Sequence, residues 1–293
     1  MKKISLVFFG SQQNSADLLE LLVKDERFKV VAVVTQPDRP IGRKKVLTAT
    51  PVSAVVEKYE IDLLKPERAE KKNLLKDSEG LYESLKKYNF ALILTYEYGQ
   101  LLTEDILGLG KFGGVNIHFS LLPSFRGAAP LPWQILHGEK ETGITFSKMG
   151  AAFDTGNLLY QEAQEIKNED TTVELHKRLS KRVLDITMDI LQKYIDGELK
   201  KISSNYPESY CPRMTREDGY VEYSEFKRSM EGDKLIAIKI ERMLRAFNPW
   251  PGVYTLVSGK RLKILSGNME GVKFVPENVQ WEGRDAQKWD KAI

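Results

Sequence analysis

The chain has 293 residues, 42% of them hydrophobic and 29% charged, which suits two compact domains or one large one and excludes collagen-like and disordered architectures. It contains no apolar run of the roughly 18 residues a membrane span needs, and its single cysteine, Cys211, cannot form an internal disulfide, so a reducing cytoplasm is expected. Three histidines leave little material for a zinc site, and a net charge of +3 is too small to imply nucleic-acid binding by itself.

In chain order, residues 4–9 form a nearly continuous apolar run closed by Gly10. With no small-residue cleavage site after it, the run predicts a buried strand and not a signal peptide. Leucines and alanine at helical spacing predict a helix over 15–24, and β-branched residues predict a second strand at 30–34. Residues 38–45 read as a charged loop. Pro51 sits in the first turn of a helix expected to run to 59. Further strands are expected at 91–94, 114–119 and 143–149. Strands alternating with helices predict an α/β domain, a Rossmann-like and mostly parallel sheet with helices on both faces. Ligands of such sheets bind at the carboxyl ends of the strands.

A long helix is expected over 171–194, ended by Asp196-Gly197, and Ser, Asn and Pro between 200 and 215 mark a linker. Short alternating runs at 220–223, 253–257 and 261–265, with one helix over 235–247, predict a small β-rich barrel or sheet as a second domain. The expected division is a catalytic domain over 1–200, a linker over 201–213 and a β-rich domain over 214–293.

No G-x-G-x-x-G follows the first strand, no phosphate loop of the G-x-x-x-x-G-K type occurs, and no G-x-S-x-G elbow is present. The informative stretch is Asn116-Ile117-His118. Residues two apart on a strand share a face, so Asn116 and His118 aim at one volume and could hold a carbonyl oxygen as it gains charge. A polar pair satisfying hydrogen bonds at a strand end fits the same spacing. Asp154, in the loop after the next strand, could sit beside His118 and pass protons through a water; an Asx-turn aspartate before Thr155-Gly156 fits as well.

Asn116-x-His118-x-Ser120-Leu121-Leu122-Pro123, then Arg126-Gly127-Ala128-Ala129-Pro130 and Asp154-Thr155-Gly156, resemble the folate-dependent formyltransferase family. Thr35-Gln36-Pro37-Asp38-Arg39-Pro40, Tyr98-Gly99-Gln100-Leu101-Leu102 and Arg245-Ala246-Phe247-Asn248-Pro249-Trp250-Pro251-Gly252 extend the resemblance along nearly the whole chain. It implies a formyl transfer from 10-formyltetrahydrofolate to the amine of methionine carried on initiator tRNA, without a metal, in a monomeric enzyme. By the same resemblance Asn116 and His118 stabilise the tetrahedral oxyanion, and Asp154 holds a water and relays the amine proton. Ser120, Leu121, Leu122 and Pro123, with Tyr98, Gln100 and Leu102, would line the folate pocket. The basic loop would enter the acceptor stem, with Arg43, Lys44 and Lys45 as tRNA contacts.

The chain departs from the family's usual Gly-Thr-Pro-Asp-Phe after the first strand, where it has Gly10-Ser11-Gln12-Gln13-Asn14, and the resemblance implies a shortened OB-like barrel at the C-terminal end, since residues 259–281 leave little room for the usual strands. Two other readings stay open at this point. One is a binding module that kept the fold and lost catalysis. The other is a formyltransferase for a small amine such as an amino-sugar nucleotide or glycinamide ribonucleotide.

Overall fold

The structure, a computed structural model, describes residues 3–42, 44–67, 75, 77–150, 152–200 and 202–292. Its elements begin with β1 (Ile4–Gly10), α1 (Gln13–Lys24), β2 (Phe28–Val34), β3 (Arg39–Ile41), β4 (Val46–Thr48), α2 (Pro51–Lys58), β5 (Leu63–Leu64), α3 (Ser78–Leu85) and β6 (Leu92–Tyr96). There follow α4 (Glu104–Gly108), β7 (Gly114–His118), β8 (Arg126–Gly127), α5 (Pro130–His137), β9 (Glu141–Lys148), β10 (Leu158–Glu165) and α6 (Thr172–Ile195). The C-terminal stretch adds β11 (Tyr210–Cys211), α7 (Tyr223–Glu231), α8 (Lys234–Phe247), β12 (Val253–Val257), β13 (Lys260–Glu270), β14 (Lys273–Trp281) and β15 (Gln287–Lys288).

Seven strands form one sheet in the order β10-β9-β7-β6-β1-β2-β5. The pairs β2/β5, β1/β2, β1/β6 and β6/β7 are parallel, and β7/β9 is antiparallel. The expected mostly parallel α/β sheet is therefore present. Leu6, Val7, Phe8 and Phe9 of β1 are fully buried, as a strand covered on both faces requires. On one face Val7, Phe9, Ala32, Val34 and Ile93 join Leu81 and Leu85 of α3 and Ile106 and Leu107 of α4 in one core cluster. Chain order reverses between β1 and β6, because β1 leads to β2 on one side and β6 leads to β7 on the other. In open α/β sheets, ligands bind at such a reversal, outside the carboxyl ends of the strands.

The chain divides into two compact units. Unit 1 comprises Met1–Arg126, Gly143–Ala163 and Leu179–Ser209; unit 2 comprises Gly127–Thr142, Gln164–Arg178 and Tyr210–Ile293. Unit 2 thus draws on residues 127–142 and 164–178 as well as on the C-terminal stretch. Within it α5 packs on α8, where the rings of Trp133 and Phe247 meet edge to face at 6.2 Å. Thr172 Oγ1 donates to the Ala246 carbonyl at 2.8 Å, which fixes the start of α6 to the end of α8.

Several local expectations change. Residues 220–223 are not a strand: Tyr220 makes a single bridge to Tyr254, and Tyr223 opens α7. The four-residue alternation was too short to outweigh the helix that buries Phe226 and Ser229 and ends at left-handed Gly232. Residues 259–281 hold more strand than expected, since β13 and β14 pair along most of their length around a turn at Gly271. Together β12, β13, β14 and β15 make an antiparallel four-stranded sheet, consistent with a small barrel. Residues 38–45 are more than a loop. β3 and β4 pair as an antiparallel hairpin with Arg39 opposite Thr48 and Ile41 opposite Val46.

Candidate active site

Asn116 and His118 lie on β7, whose neighbours hold them in register: Thr95 of β6 and Ser147 of β9 flank Asn116, and Thr145 of β9 flanks His118. Asp154 lies in the loop between β9 and β10 with a left-handed φ of 55°. The loop closes tightly. Lys148 N–H bonds the Asn157 carbonyl at 2.8 Å, and a Cβ on Gly156 would stand 1.5 Å from the Lys148 carbonyl oxygen, so only glycine fits there.

These elements bring the three expected residues together. Asn116 Nδ2 donates to Asp154 Oδ1 at 3.1 Å, and His118 Nδ1 lies 3.5 Å from the same oxygen. The side chains of His118 and Asp154 are 7% and 5% exposed, so the pairing is screened little by water. His118 Nε2 stands 2.9 Å from the Phe125 carbonyl oxygen, which can only accept, so Nε2 carries a proton and Nδ1 is the nitrogen presented to Asp154. Thr95 Oγ1 donates to Asn116 Oδ1 at 2.7 Å. With its oxygen engaged, the amide offers the second proton of Nδ2 to a ligand. A fixed donor of this kind, aimed where negative charge will develop, is what stabilises a tetrahedral oxyanion.

The expected pocket residues divide by the strand they follow. After β7, Ser120 Oγ donates to the Ser124 carbonyl at 2.6 Å, and Thr145 Oγ1 donates to the Ser120 carbonyl at 2.6 Å. Gln161 Nε2 of β10 reaches the Leu122 carbonyl at 3.0 Å, while Leu121 packs so close to Gly143 that a Cβ there would meet it at 2.4 Å. Leu121 and Leu122 are buried and Pro123 is half-buried, so this turn is rigid. After β6, Leu102 and Tyr98 belong to the core cluster, with the rings of Tyr98 and Phe9 at 5.2 Å. Burial pushes the Tyr98 phenol well above its usual pKa. Among the described residues, the Tyr98 hydroxyl and both amide atoms of Gln100 are buried without a hydrogen-bond partner. Buried polar groups are nearly always paired, so these three atoms are available to a polar ligand group.

Lys44 and Lys45 occupy the exposed turn of the β3–β4 hairpin, where Lys45 N–H bonds the Gly42 carbonyl at 3.1 Å; Arg43 lies outside the described residues. Sequence reading missed the supporting residues Thr95, Thr145, Gln161 and the Phe125 carbonyl. Thr95 alone left a trace, as the polar residue that ends the apolar run of β6.

The geometry suits acyl transfer to an amine, and comparison with known proteins agrees. A formyl transferase profile matches residues 2–190, and the profile of the formyl transferase C-terminal domain matches 235–274. The chain belongs to the formyl transferase family. Among curated formyl transferases, it is 35% identical over 268 residues to the methionyl-tRNA formyltransferase of Caldicellulosiruptor saccharolyticus, a match covering 89% of this chain and 78% of that protein. It is 36% identical to the methionyl-tRNA formyltransferase of Staphylococcus epidermidis, again over 89% and 78% of the two chains. Among solved formyl transferases, its fold matches the N-formyltransferase of Helicobacter canadensis with a TM-score of 0.65 at 19% identity, covering 91% of this chain and 88% of that one. The solved structure was determined in complex with folinic acid and dTDP-3-aminofucose. Among the described residues no helix is long and apolar enough to cross a membrane.

Proposed function

We propose that this enzyme transfers the formyl group of 10-formyltetrahydrofolate to the α-amine of methionine esterified to initiator tRNA, in the cytoplasm and as part of translation initiation. The observation that carries the reading is the 35% identity to methionyl-tRNA formyltransferases across 78% of their length, with Asn116, His118 and Asp154 joined at one oxygen.

The amine nitrogen attacks the formyl carbon, a C–N bond forms, and the carbonyl oxygen becomes an oxyanion. Asn116 Nδ2, held in place by Thr95 and Asp154, donates to that oxygen, and His118 joins it through Nδ1–H of the imidazolium, because its Nε2–H is engaged by the Phe125 carbonyl. Losing one such donor typically costs about 10²–10³ in turnover. The amine must shed a proton as the bond forms, and Asp154 accepts it through a water. The bond from the formyl carbon to N10 of the folate then breaks, and the same proton is returned to N10. Assistance of this acid–base kind contributes about 10²–10⁴. Neither a metal nor a covalent enzyme intermediate enters these steps.

For the donor, the Tyr98 hydroxyl and Gln100 amide, unpaired among the described residues, support a polar ligand group at the loop after β6, and the Ser120–Pro123 turn forms the opposite support after β7. For the acceptor, Lys44 and Lys45, exposed beside Arg43, suit phosphates. Unit 2 would supply further tRNA contacts. The deciding experiment offers the full-length enzyme charged initiator tRNA beside free amino-sugar nucleotides and glycinamide ribonucleotide, with 10-formyltetrahydrofolate as donor. Formylation of the charged tRNA is expected. Formylation of small amines alone would overturn the acceptor assignment, and no transfer at all would favour a binding module.

A further inference from the structure

One residue that the mechanism does not use connects the basic hairpin to the loop after β6. Gln36, half-buried just before β3, has both ends of its amide engaged. Nε2 donates to the Tyr98 carbonyl at 2.5 Å, and Oε1 accepts from a guanidinium nitrogen of Arg39, the first residue of β3. Its backbone is fixed as well, since Gln36 N–H donates to Ser11 Oγ at 3.1 Å. Ser11 in turn accepts from Thr35 Oγ1, which bonds Thr50 at the start of α2.

The loop it reaches is conformationally special. Glu97 and Gly99 on either side of Tyr98 both have left-handed backbones, with φ of 53° and 74°, and a Cβ on Gly99 would lie 3.5 Å from Gln36 Nε2. Backbone in this region persists when its surroundings hold it. The Gln36 amide provides a specific bond to the middle of that loop, at the backbone of Tyr98. Among the described residues, the hairpin end is tied down through Arg39, which bonds Gln36, and through Asp38, which pairs with Lys65 at 2.6 Å. A movement of the hairpin on an RNA therefore acts on Gln36, and Gln36 acts on the Tyr98 carbonyl.

We infer that Gln36 is a positioning residue that couples occupancy of the hairpin by tRNA to the affinity of the β6–α4 loop for reduced folate. The inference rests on the proposed function, because it takes the hairpin as the tRNA contact and the loop as part of the folate pocket. Coupling between two sites is reciprocal, so each ligand tightens the other by one factor. The chemistry of the residue is specific. Alanine cuts both links, whereas glutamate keeps the pairing with Arg39 but faces a carboxylate oxygen against the Tyr98 carbonyl, so neither transmits.

The test uses full-length protein, tetrahydrofolate and uncharged initiator tRNA, so that no turnover occurs. Folate affinity is measured with and without saturating tRNA. Coupling factors of this kind run from about 5 to 150, and the wild type is expected within that range. Gln36→Ala and Gln36→Glu are expected to bring the factor to about one, each still binding folate alone and tRNA alone. Arg39→Ala, an exposed change that leaves Gln36 in place, is expected to reduce the factor too, and Arg39→Lys to recover part of it by restoring a cationic donor. A packing role alone would lower thermal stability without moving the ratio of the two folate affinities. A wild type that binds both ligands without coupling, or a Gln36→Ala protein that keeps the wild-type factor, overturns the inference while leaving the proposed function standing. A wild type that binds neither ligand overturns the function and the inference with it.

Discussion

The Asn116–His118–Asp154 cluster and the β3–β4 hairpin lie in the same unit and are built on opposite principles. In the cluster the polar side chains are buried or half-buried and held by neighbours on other elements: Thr95 from β6, the Phe125 carbonyl after β7, Asp154 from the loop after β9. In the hairpin two three-residue strands carry Ile41, Val46 and Leu47 at 59%, 59% and 67% exposure, with lysines in the turn. A two-stranded ribbon of that length is marginal by itself. The first arrangement gives preorganised donors, which lower a barrier because they need no reorganisation as charge develops. The second puts charge at the end of a short exposed hairpin, which on the proposed function serves affinity for a polyanion and asks for little exact geometry. The two kinds of function should therefore fail differently under mutation.

The largest effects belong to the cluster. Asn116→Ala, His118→Ala and Asp154→Ala are each expected to lower turnover by about 10² or more, with tRNA binding kept within a few-fold. Because they act on one transition state, the double and triple variants should lose far less than the product of the single effects. Steady-state kinetics beside a tRNA-binding assay reads both quantities. An Asp154→Ala enzyme with most of its turnover would remove the proton relay from the mechanism.

The same contrast explains what could be read from the chain alone. The alternation of a strand puts Asn116 and His118 on one face, and Asp154 follows the next strand, so the cluster was legible from local rules and from motif. The sheet was legible for the same reason: 4–9, 30–34 and 91–94 are short apolar runs that have no other use. The hairpin was not, because its strands bury nothing and one contains Pro40, so no periodic signal exists for a packing argument to detect. β10 was missed likewise, since no residue of Leu158–Glu165 is fully buried and its pattern does not alternate cleanly. Thr95, Thr145, Gln161 and Gln36 act across 16 to 62 positions of sequence, and nothing local in the chain marks such pairings.

For the hairpin, replacing Arg43, Lys44 and Lys45 together by alanine is expected to weaken tRNA binding and to flatten the dependence of log affinity on log salt by about one unit for each phosphate that is no longer neutralised. Folate binding measured without tRNA should stay the same. A salt titration of tRNA affinity for wild type and variant decides it; an unchanged slope would mean that the basic turn is simply solvated.

A smaller effect tests the support of the cluster. Thr95→Val keeps the shape of the side chain and removes the bond to Asn116 Oδ1, so the amide is no longer fixed in orientation from that side. A neutral hydrogen bond is worth about 0.5–1.5 kcal/mol, which corresponds to a fall in kcat of about 2- to 13-fold with little change in KM. A rise in KM at constant kcat would place Thr95 in ground-state binding and weaken the preorganisation argument.

The smallest effect completes the contrast, because it concerns an apolar residue whose loss should cost nothing in folding. Leu47 is 67% exposed, so the serine of Leu47→Ser gives up little area that was ever removed from water. Its unfolding free energy should match the wild type within about 0.5 kcal/mol, the usual range for surface changes away from special features. Phe9→Ala, by comparison, empties a fully buried site beside Tyr98 and should cost about 3–5 kcal/mol. Denaturant unfolding of the two variants measures the difference directly. If Leu47→Ser proved destabilising by more than about 1 kcal/mol, the hairpin would be packed in solution, and a short exposed hairpin would no longer describe it. Agreement with wild type would show that the exposed apolar side chains of the hairpin are not held for folding, and tRNA affinity of the same variant is then the quantity to measure.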